Sequence, residues 1–471
     1  MASEFPRHRA TLRVLLLLAL ALDAAVAHGE EIPPAAEGAP VGERSEEHGV
    51  GDAELRWIDE SAPDYRTPRA GEGIRTRIFG RDVAVPARDR RSTSAWDLGI
   101  DSWYRWPEDA RVLPFGSLYF WRRPSEASFL RATIVGLYDD ITYAHALADE
   151  SPFEAVLTFE NDTVPSDSAE YVDGERIKRQ ELMQGEVRAG VGLGYRRQVQ
   201  AGFGGVRLLD HVPPHSPDNQ LSLSARIEPA LLYFDQGKDM VHAFRVPDDT
   251  LELRGHLQMR FDSLERNLLE LAHRGLALGA DAWQGWREDW GKWGIGKEES
   301  SKDRPRMLQG YGVIAGGIPG LGEGHRVIGS VYAGVGSNLD RFSAPHIGGG
   351  PSDDEFLELA QPIVPGAGID EFWPDHYAVG IAEYRYELFF FTYLSARASV
   401  AQLDRDRFVV NRFDPGPTHR QDDTLTSLGA RLTTGFLFST RLRLDYNYNF
   451  DVIRNDRHGA NEFLFNVSRS F

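Results

Sequence analysis

Three groups of side chains in this sequence have types and spacing that could do chemistry. The first is His215-Ser216, a base beside a hydroxyl. A nucleophile needs its base held at hydrogen-bond distance by rigid neighbours. Here the pair lies in Val212-Pro213-Pro214-His215-Ser216-Pro217, and three prolines in six residues read as a turn. No Gly-x-Ser-x-Gly elbow occurs elsewhere. No catalytic residue is therefore assigned, and the chain reads as a non-enzyme.

The second group is acidic: Asp353, Asp354, Glu355, Glu358, Asp370, Glu371 and Asp375. Several carboxylates together suit a hard divalent cation. The spacing lacks the Asp-x-Asp-x-Asp-Gly pattern of a calcium loop, so a solvated acidic loop is the better reading. Neither a metal nor a cofactor is expected.

The third group mixes signs. Arg254, Arg260, Arg441 and Arg443 alternate with apolar residues, and Glu252, Asp262, Glu383 and Asp445 do the same. Such arginines either select anions in a pore or pair with these carboxylates in a sealed lumen. The sequence leaves both open.

Those charges need elements to hold them, and their spacing says which. In Arg441–Phe450, Leu442, Leu444, Tyr446, Tyr448 and Phe450 fall on one face, and Arg441, Arg443, Asp445, Asn447 and Asn449 on the other. Leu251–Asp262 repeats the pattern. A strand with one greasy face and one charged face suits a barrel with lipid outside and a hydrated lumen inside. Further alternating runs are Leu221–Asp235, Gly275–Trp286, Met307–Ile318, Arg326–Ser337, Tyr377–Phe390, Phe391–Leu403, Ser427–Phe438 and Asn461–Phe471. The expected fold is all-β: a transmembrane antiparallel barrel of about 16 strands, with 14 as the alternative.

Connection lengths support this. Short connections near Ser439-Thr440, Phe390–Tyr393 and Pro319–His325 alternate with long ones at Trp286–Arg306, Asn338–His376 and Asp404–Asp423. Periplasmic turns and external loops alternate in that way. Upstream of Leu221 the order breaks, because a tight junction at Arg196-Arg197 and the long Asp162–Gln180 segment fall on the wrong sides. Trp283, Trp286, Trp290 and Trp293 read as an interfacial aromatic girdle.

The ends of the sequence locate the barrel. Arg7, His8, Arg9 and Arg13, the apolar run Val14–Leu22 and Ala25-Val26-Ala27 form a secretory signal over residues 1–27. Residues 28–110 read as a flexible periplasmic segment, with a plug or a strap across the barrel mouth as its role. The barrel is expected over 111–471. Its last strand places Phe463, Phe465, Val467 and Phe471 on one face, as an insertion signal for the barrel assembly machinery. The chain has no cysteine, which rules out disulfides and thiol chemistry. A net charge of −19 argues against nucleic acid as a partner. Outer-membrane lipids and a protein or lipid cargo are the expected partners, and the cell outer membrane the expected location.

Four stretches resemble the barrel of BamA-type assembly and translocation proteins, the bacterial surface antigen family. Phe261-Asp262-Ser263-Leu264-Glu265-Arg266-Asn267 followed by Gly275 is similar to the family's Asp-x-x-x-Arg-Asn turn. His346–Pro351 resembles the Gly-Gly lead-in to its long sixth loop, Glu383-Tyr384-Arg385 its Glu-Tyr-Arg strand, and Leu428–Phe471 its closing strands. The resemblance implies that Glu383 and Arg385 sit on the lumen wall facing the long loop. It also implies a function in protein or lipid assembly or translocation. The sequence departs from the family in two ways. The loop has no Arg-Gly tip, its one arginine being Arg341, and residues 28–110 lack the paired amphipathic helices of a POTRA module. A passive or substrate-selective pore is the alternative function, and an outer-membrane lipolytic enzyme a weak third.

Overall fold

The computed structural model describes residues 55–104, 111–136, 138–149, 151–168, 182–202, 220–237, 239–291, 293–294, 302–350, 362–407, 419–435, 440–454 and 457–470, with short pieces at 171–172, 175–176, 205–208, 410–411 and 414–415. Residues 1–27, expected as a secretory signal, residues 28–54, His215-Ser216, Asp353, Asp354, Glu355, Glu358 and Phe471 lie outside the described residues.

Sixteen strands close into one antiparallel barrel. They are β1 (Thr93–Tyr104), β2 (Arg111–Ser125), β3 (Ser128–Ile134), β4 (Tyr138–Ala146), β5 (Phe153–Ser168), β6 (Leu182–Gly202), β7 (Gln220–Gln236) and β8 (Thr250–Asp262). The second half is β9 (Ala272–Arg287), β10 (Arg306–Gly317), β11 (His325–Ser337), β12 (His376–Phe389), β13 (Thr392–Arg407), β14 (His419–Gly435), β15 (Thr440–Arg454) and β16 (Arg457–Ser470). β16 returns to β1 in continuous register, from Asn461–Tyr104 to Ser470–Ala95. Inside this seam, Asn466 donates to both carboxylate oxygens of Asp97 at 2.6 and 2.7 Å.

Period-two alternation decides which face each side chain takes. On β15, Arg441, Arg443, Asp445, Asn447 and Asn449 are buried toward the lumen, while Tyr446 and Phe450 are exposed outside. On β8, Glu252, Arg254 and Asp262 turn inward and Leu251, Leu253, Leu257 and Met259 outward. Exposed apolar side chains continue around the wall, including Leu98, Leu118, Phe159, Leu193, Ile227, Leu308, Val335, Tyr384, Val400, Leu428 and Phe463. Burying one such side chain is worth about 1.5–3 kcal/mol. A full belt left in water would cost several times the ~5–15 kcal/mol by which a domain is stable. The belt is therefore lipid-facing.

The ends of the barrel differ. Connections 126–127, 147–152, 263–271, 318–324, 390–391 and 436–439 share one end, with 203–219. Connections 169–181, 237–249, 288–305, 338–375 and 408–418 share the other, with the short 135–137 and 455–456. The alternation expected downstream of Leu221 holds. Upstream the order does break, at the short 135–137 and the long 203–219, but not where expected: Arg196-Arg197 lies inside β6 and not at a turn, and 169–181 falls with the long connections. Neighbours in a strand face opposite ways, so Arg196 points in, where it pairs with Glu154 at 3.1 Å.

Two further expectations change. The barrel begins before residue 111, since β1 starts at Thr93; its Asp97 and Asp101 alternate with Leu98 and Ile100, but three nearby tryptophans obscure the pattern. Residues 55–92 are not a structureless tether. Arg56–Trp57, Ile74–Ile78 and Arg81–Val85 form a three-stranded sheet with no helix. Ile58, Ile74, Tyr65, Ile78 and Val85 pack against Leu269, Phe390, Phe391 and Tyr393 at the short-turn end. The segment caps that mouth.

Candidate functional site

The described parts of the long loop, 338–350 and 362–375, fold back into the lumen. Within them Ile347 bridges to Phe372 and Gly348 to Ile363, and Gly349 donates to the Gly368 carbonyl at 2.9 Å. These bonds satisfy backbone groups that burial removes from water. Leu339, Ala344, Ile347, Val364, Ala367 and Phe372 then form one apolar core with wall residues including Met307, Tyr377, Val379, Leu403, Val452 and Ala460. The loop is thus a packed plug on the inner wall.

Polar anchors hold it at two places. On β16, the buried Glu462 carboxylate accepts the backbone N–H groups of Gly350 at 3.1 Å and Gly366 at 2.8 Å, and the Asn447 amide at 2.7 Å. On β15, Asn449 donates to the Pro365 carbonyl at 3.0 Å, and Arg454 pairs with Glu371 at 2.5 Å. Gly366 has φ +88°, and a Cβ there would lie 2.6 Å from the Asn449 Cβ. The backbone approaches the wall so closely that only glycine fits. Nearly opposite in the ring, Arg287 on β9 bonds Asp340 of the loop at 2.6 Å and Glu252 of β8 at 2.9 Å. The neighbouring Phe342 packs on Phe234, Trp290 and Trp293, with ring centroids 4.7, 5.9 and 4.9 Å away.

That cage corrects the expected girdle. Trp286 faces outward, but Trp283 lies on the lumen side under the Arg254 guanidinium at 4.0 Å, and Trp290 and Trp293 hold the loop. An odd separation in a strand reverses the face, which separates Trp283 from Trp286.

Glu383 and Arg385 stand on the lumen wall, both buried, with Tyr384 exposed outside. Their bonds run within the wall rather than to the loop. Glu383 takes Arg385 at 2.8 Å, Ser395 at 2.9 Å and Arg431 at 3.5 Å, and Arg385 also donates to the Ala272 carbonyl at 2.7 Å. Asp445 joins them, taking Arg431 at 2.8 Å and Arg443 at 2.6 Å. Of the four lumen arginines left open by the sequence, Arg254 pairs with Glu252 at 2.8 Å, Arg260 with Asp262 at 3.2 Å and Arg443 with Asp445 at 2.6 Å, while Arg441 donates to the Leu269 carbonyl at 3.2 Å. Of the closing-strand residues, Phe463, Phe465 and Val467 take the outward face, alternating with the buried Glu462, Leu464, Asn466 and Ser468.

The Asp262–Asn267 stretch builds the β8–β9 turn. Arg266 pairs with Asp262 at 2.9 Å, and the Asn267 side chain accepts the Leu269 and Leu271 N–H groups. The cap docks onto this turn. Arg90 bonds Glu270 at 2.8 Å, Arg88 bonds it too, and Ala70 donates to the Arg266 carbonyl at 2.9 Å. Tyr65 donates to Glu387 at 3.2 Å; burial and the adjacent carboxylate push its phenol above the ordinary range.

Among the described residues, cavities open in the lumen beside the loop and the wall. One of about 210 Å³ separates the loop residues Phe342–Pro345 from Glu186, Arg188, Arg254 and Trp283. One of about 80 Å³ is lined by Arg131, Arg196, Arg260, Gln258 and Tyr311. At about 30 Å³ per water, each has room for a few waters. The arrangement can hold a segment of its own chain in the lumen and keep charges compensated there. Glu462, Asp340 and Phe342 are loop anchors that sequence reasoning missed. Glu462 sits on the polar face of the closing strand, but its partners in the loop are backbone amides that carry no sequence signal.

No family model matches the sequence, and no curated protein does. Among solved structures the chain is similar to CdiB from Acinetobacter baumannii, at TM-score 0.44 and 10% identity, over 86% of this chain and 64% of that one. The chain thus spans less than two thirds of that protein. It is also similar to BamA from Haemophilus ducreyi lacking POTRA domains 1–3, at TM-score 0.47 and 9% identity, over 85% of this chain and 75% of that one. A third similar structure is the Pseudomonas putida toluene transporter TodX, at TM-score 0.30 and 11% identity, over 80% of this chain and 89% of that one.

Proposed function

We propose that this chain is a bacterial outer-membrane barrel that serves the assembly or translocation of protein or lipid, with its lumen closed at rest. The short-turn end and its cap face the periplasm, and the long loops face outward. The observation that carries this reading is the docking of the long loop on Glu462. That residue belongs to the strand that closes the barrel, so the loop and the β1–β16 seam share one support. Moving β16 displaces the acceptor for Gly350 and Gly366. A parted seam offers unpaired N–H and C=O groups to an incoming strand. The BamA-type sequence stretches favour the same reading. Its partners are outer-membrane lipids, the assembly machinery during insertion, and the cargo; it involves no cofactor and no catalysis.

Depletion in the native host tests it. Levels of other barrels and the distribution of surface lipids are expected to change; if both stay as in the parent strain, the assembly role is wrong. Location is checked by fractionation and heat-modifiable gel mobility, which a soluble periplasmic protein would not show.

A gated pore is the second reading. The charged cavity between the loop and Arg188 and Arg254 favours it, since a shift of the loop there widens a hydrated path. Large steady single-channel currents from the wild-type protein in planar bilayers would select the pore and remove the closed resting state.

A further inference from the structure

The tip of the cap hairpin is built against its own surroundings. Phe79 and Gly80 join the strands Ile74–Ile78 and Arg81–Val85, with φ of 49° and 76°. A two-residue turn of this kind favours Asn or Asp before Gly, because other side chains resist positive φ. Here a phenylalanine takes the position, and it is 88% exposed. Local propensity does not explain an aromatic there, and packing within the cap does not either.

Its ring contact among the described residues points to an explanation. Phe79 meets Phe389 edge-on, with centroids 5.9 Å apart and planes at 62°. Phe389 is itself exposed, beside Leu388, Tyr386 and Tyr384 at the short-turn end of β12. The tip therefore stands where the outward apolar belt reaches the rim. The base of the hairpin is fixed there, since Ile74, Ile78 and Val85 share a core with Phe390 and Phe391.

Cations surround the tip. Arg75, Arg77 and Arg81 are exposed on the same hairpin. Arg77 is paired with Asp82 at 2.8 Å and lies 5.8 Å from the ring centre of Trp57, which is half exposed. Arg75 and Arg81 have no ion pair among the described residues. An exposed aromatic flanked by arginines, continuous with a lipid-facing belt, has the composition of an element seated at headgroup depth.

We propose that the Phe79 tip is a phospholipid-binding element. Phe79 inserts into the leaflet on the short-turn side, and Arg75 and Arg81 meet anionic headgroups. This rests on the membrane-barrel reading above. A soluble protein is the poorer occupant, because the ring that Phe79 touches already belongs to the belt that lipid covers. The consequence is a cap held by the membrane as well as by the barrel.

The cysteine-free chain allows a direct test. Full-length Phe79→Cys, Leu388→Cys and Ala84→Cys are labelled with an environment-sensitive fluorophore. Each is placed in phosphatidylcholine vesicles with or without phosphatidylglycerol, with doxyl-labelled phospholipid as quencher. The label at 79 is expected to be blue-shifted and quenched as at 388, and the label at 84, at the far end of the hairpin, to stay water-like. Arg75→Gln with Arg81→Gln should weaken quenching at 79 in the phosphatidylglycerol vesicles only. A water-like label at 79 beside a quenched label at 388 overturns the proposal. Equal quenching in both vesicle types, unmoved by the arginine changes, overturns its headgroup half. An unquenched label at 388 overturns the barrel reading itself, and this proposal with it.

Discussion

The Glu462 carboxylate, on the strand that closes the barrel, accepts the Gly366 N–H of the long loop at 2.8 Å. It also accepts Gly350 and Asn447, so Glu462→Ala orphans three buried donors. Each orphaned buried donor costs about 1–3 kcal/mol. The loop should leave the wall in that variant. Planar-bilayer recordings are expected to show openings absent from the wild type, and Arg341 should become a trypsin site. A silent, protease-resistant Glu462→Ala barrel would mean that the apolar core alone holds the loop.

Gly366→Ala tests the same dock from the loop side. Its φ of +88° disfavours a side chain, and the added Cβ would meet Asn449. Strain of about 1–3 kcal/mol is expected at such a position. The variant should reproduce the openings of Glu462→Ala while leaving Glu462 intact. Gly322→Ala, where a Cβ meets nothing within 4 Å, should behave as wild type in the same recordings.

The sequence made the barrel legible because lipid imposes a repeating constraint. Leu442, Leu444 and Tyr446 against Arg443 and Asp445 could be read without coordinates, and so could the pairing options of Arg254 and Arg260. The loop dock was not legible. Its acceptor is one glutamate among many, and its donors are main-chain amides of Gly350 and Gly366. The tryptophans were misread as one girdle because proximity in sequence says nothing of face once a strand ends at Arg287. Arg196-Arg197 reads as a tight junction in the sequence, but both residues lie inside one long strand. One of them faces a lumen that supplies Glu154 and Gln220.

The wall cluster should govern stability. Asp445 takes Arg431 and Arg443, with Arg397 at 3.6 Å, while Glu383 serves Arg385 and Arg431. Asp445→Ala leaves buried arginines facing one another with a single acid between them. Removing one partner of a buried pair costs about 3–5 kcal/mol. The temperature at which the folded band converts to the unfolded band on a gel should fall clearly. An unchanged transition would show that water enters the cluster and screens it.

The cap should loosen in base. Burial first, then the Glu387 carboxylate, raises the Tyr65 pKa above its ordinary 10.0. Below that value the phenol is protonated whether docked or free, so its bond to Glu387 is fully present. As pH rises past it, free tyrosine ionises and docked tyrosine resists, so docking weakens up to the docked pKa. Tyr65→Phe removes the bond, worth about 1 kcal/mol, and should flatten this dependence. Limited proteolysis at Arg56 and Arg66, followed from about pH 8 to about pH 11, measures it. Equal slopes for the two proteins would assign the effect to another group.

The seam gives the sharpest test of an assembly role. Ser102 on β1 and Phe463 on β16 are register partners, both on the outward side. Directly opposed antiparallel residues lie about 4.5–5.5 Å apart at Cα, within reach of a disulfide. The chain has no native cysteine, so Ser102→Cys with Phe463→Cys forms a single bridge and no other. If the seam must part for cargo, the oxidised variant should insert normally yet fail to restore a depleted strain. Reduction should then rescue it, and either single cysteine should behave as wild type. Full restoration by the oxidised, gel-verified crosslinked protein would exclude seam opening and leave the docked loop as the moving part. Bilayer currents would then separate the outcomes further. A crosslinked barrel carrying Glu462→Ala that still opens would place the gate in the loop alone, with the strands β1 and β16 remaining paired throughout.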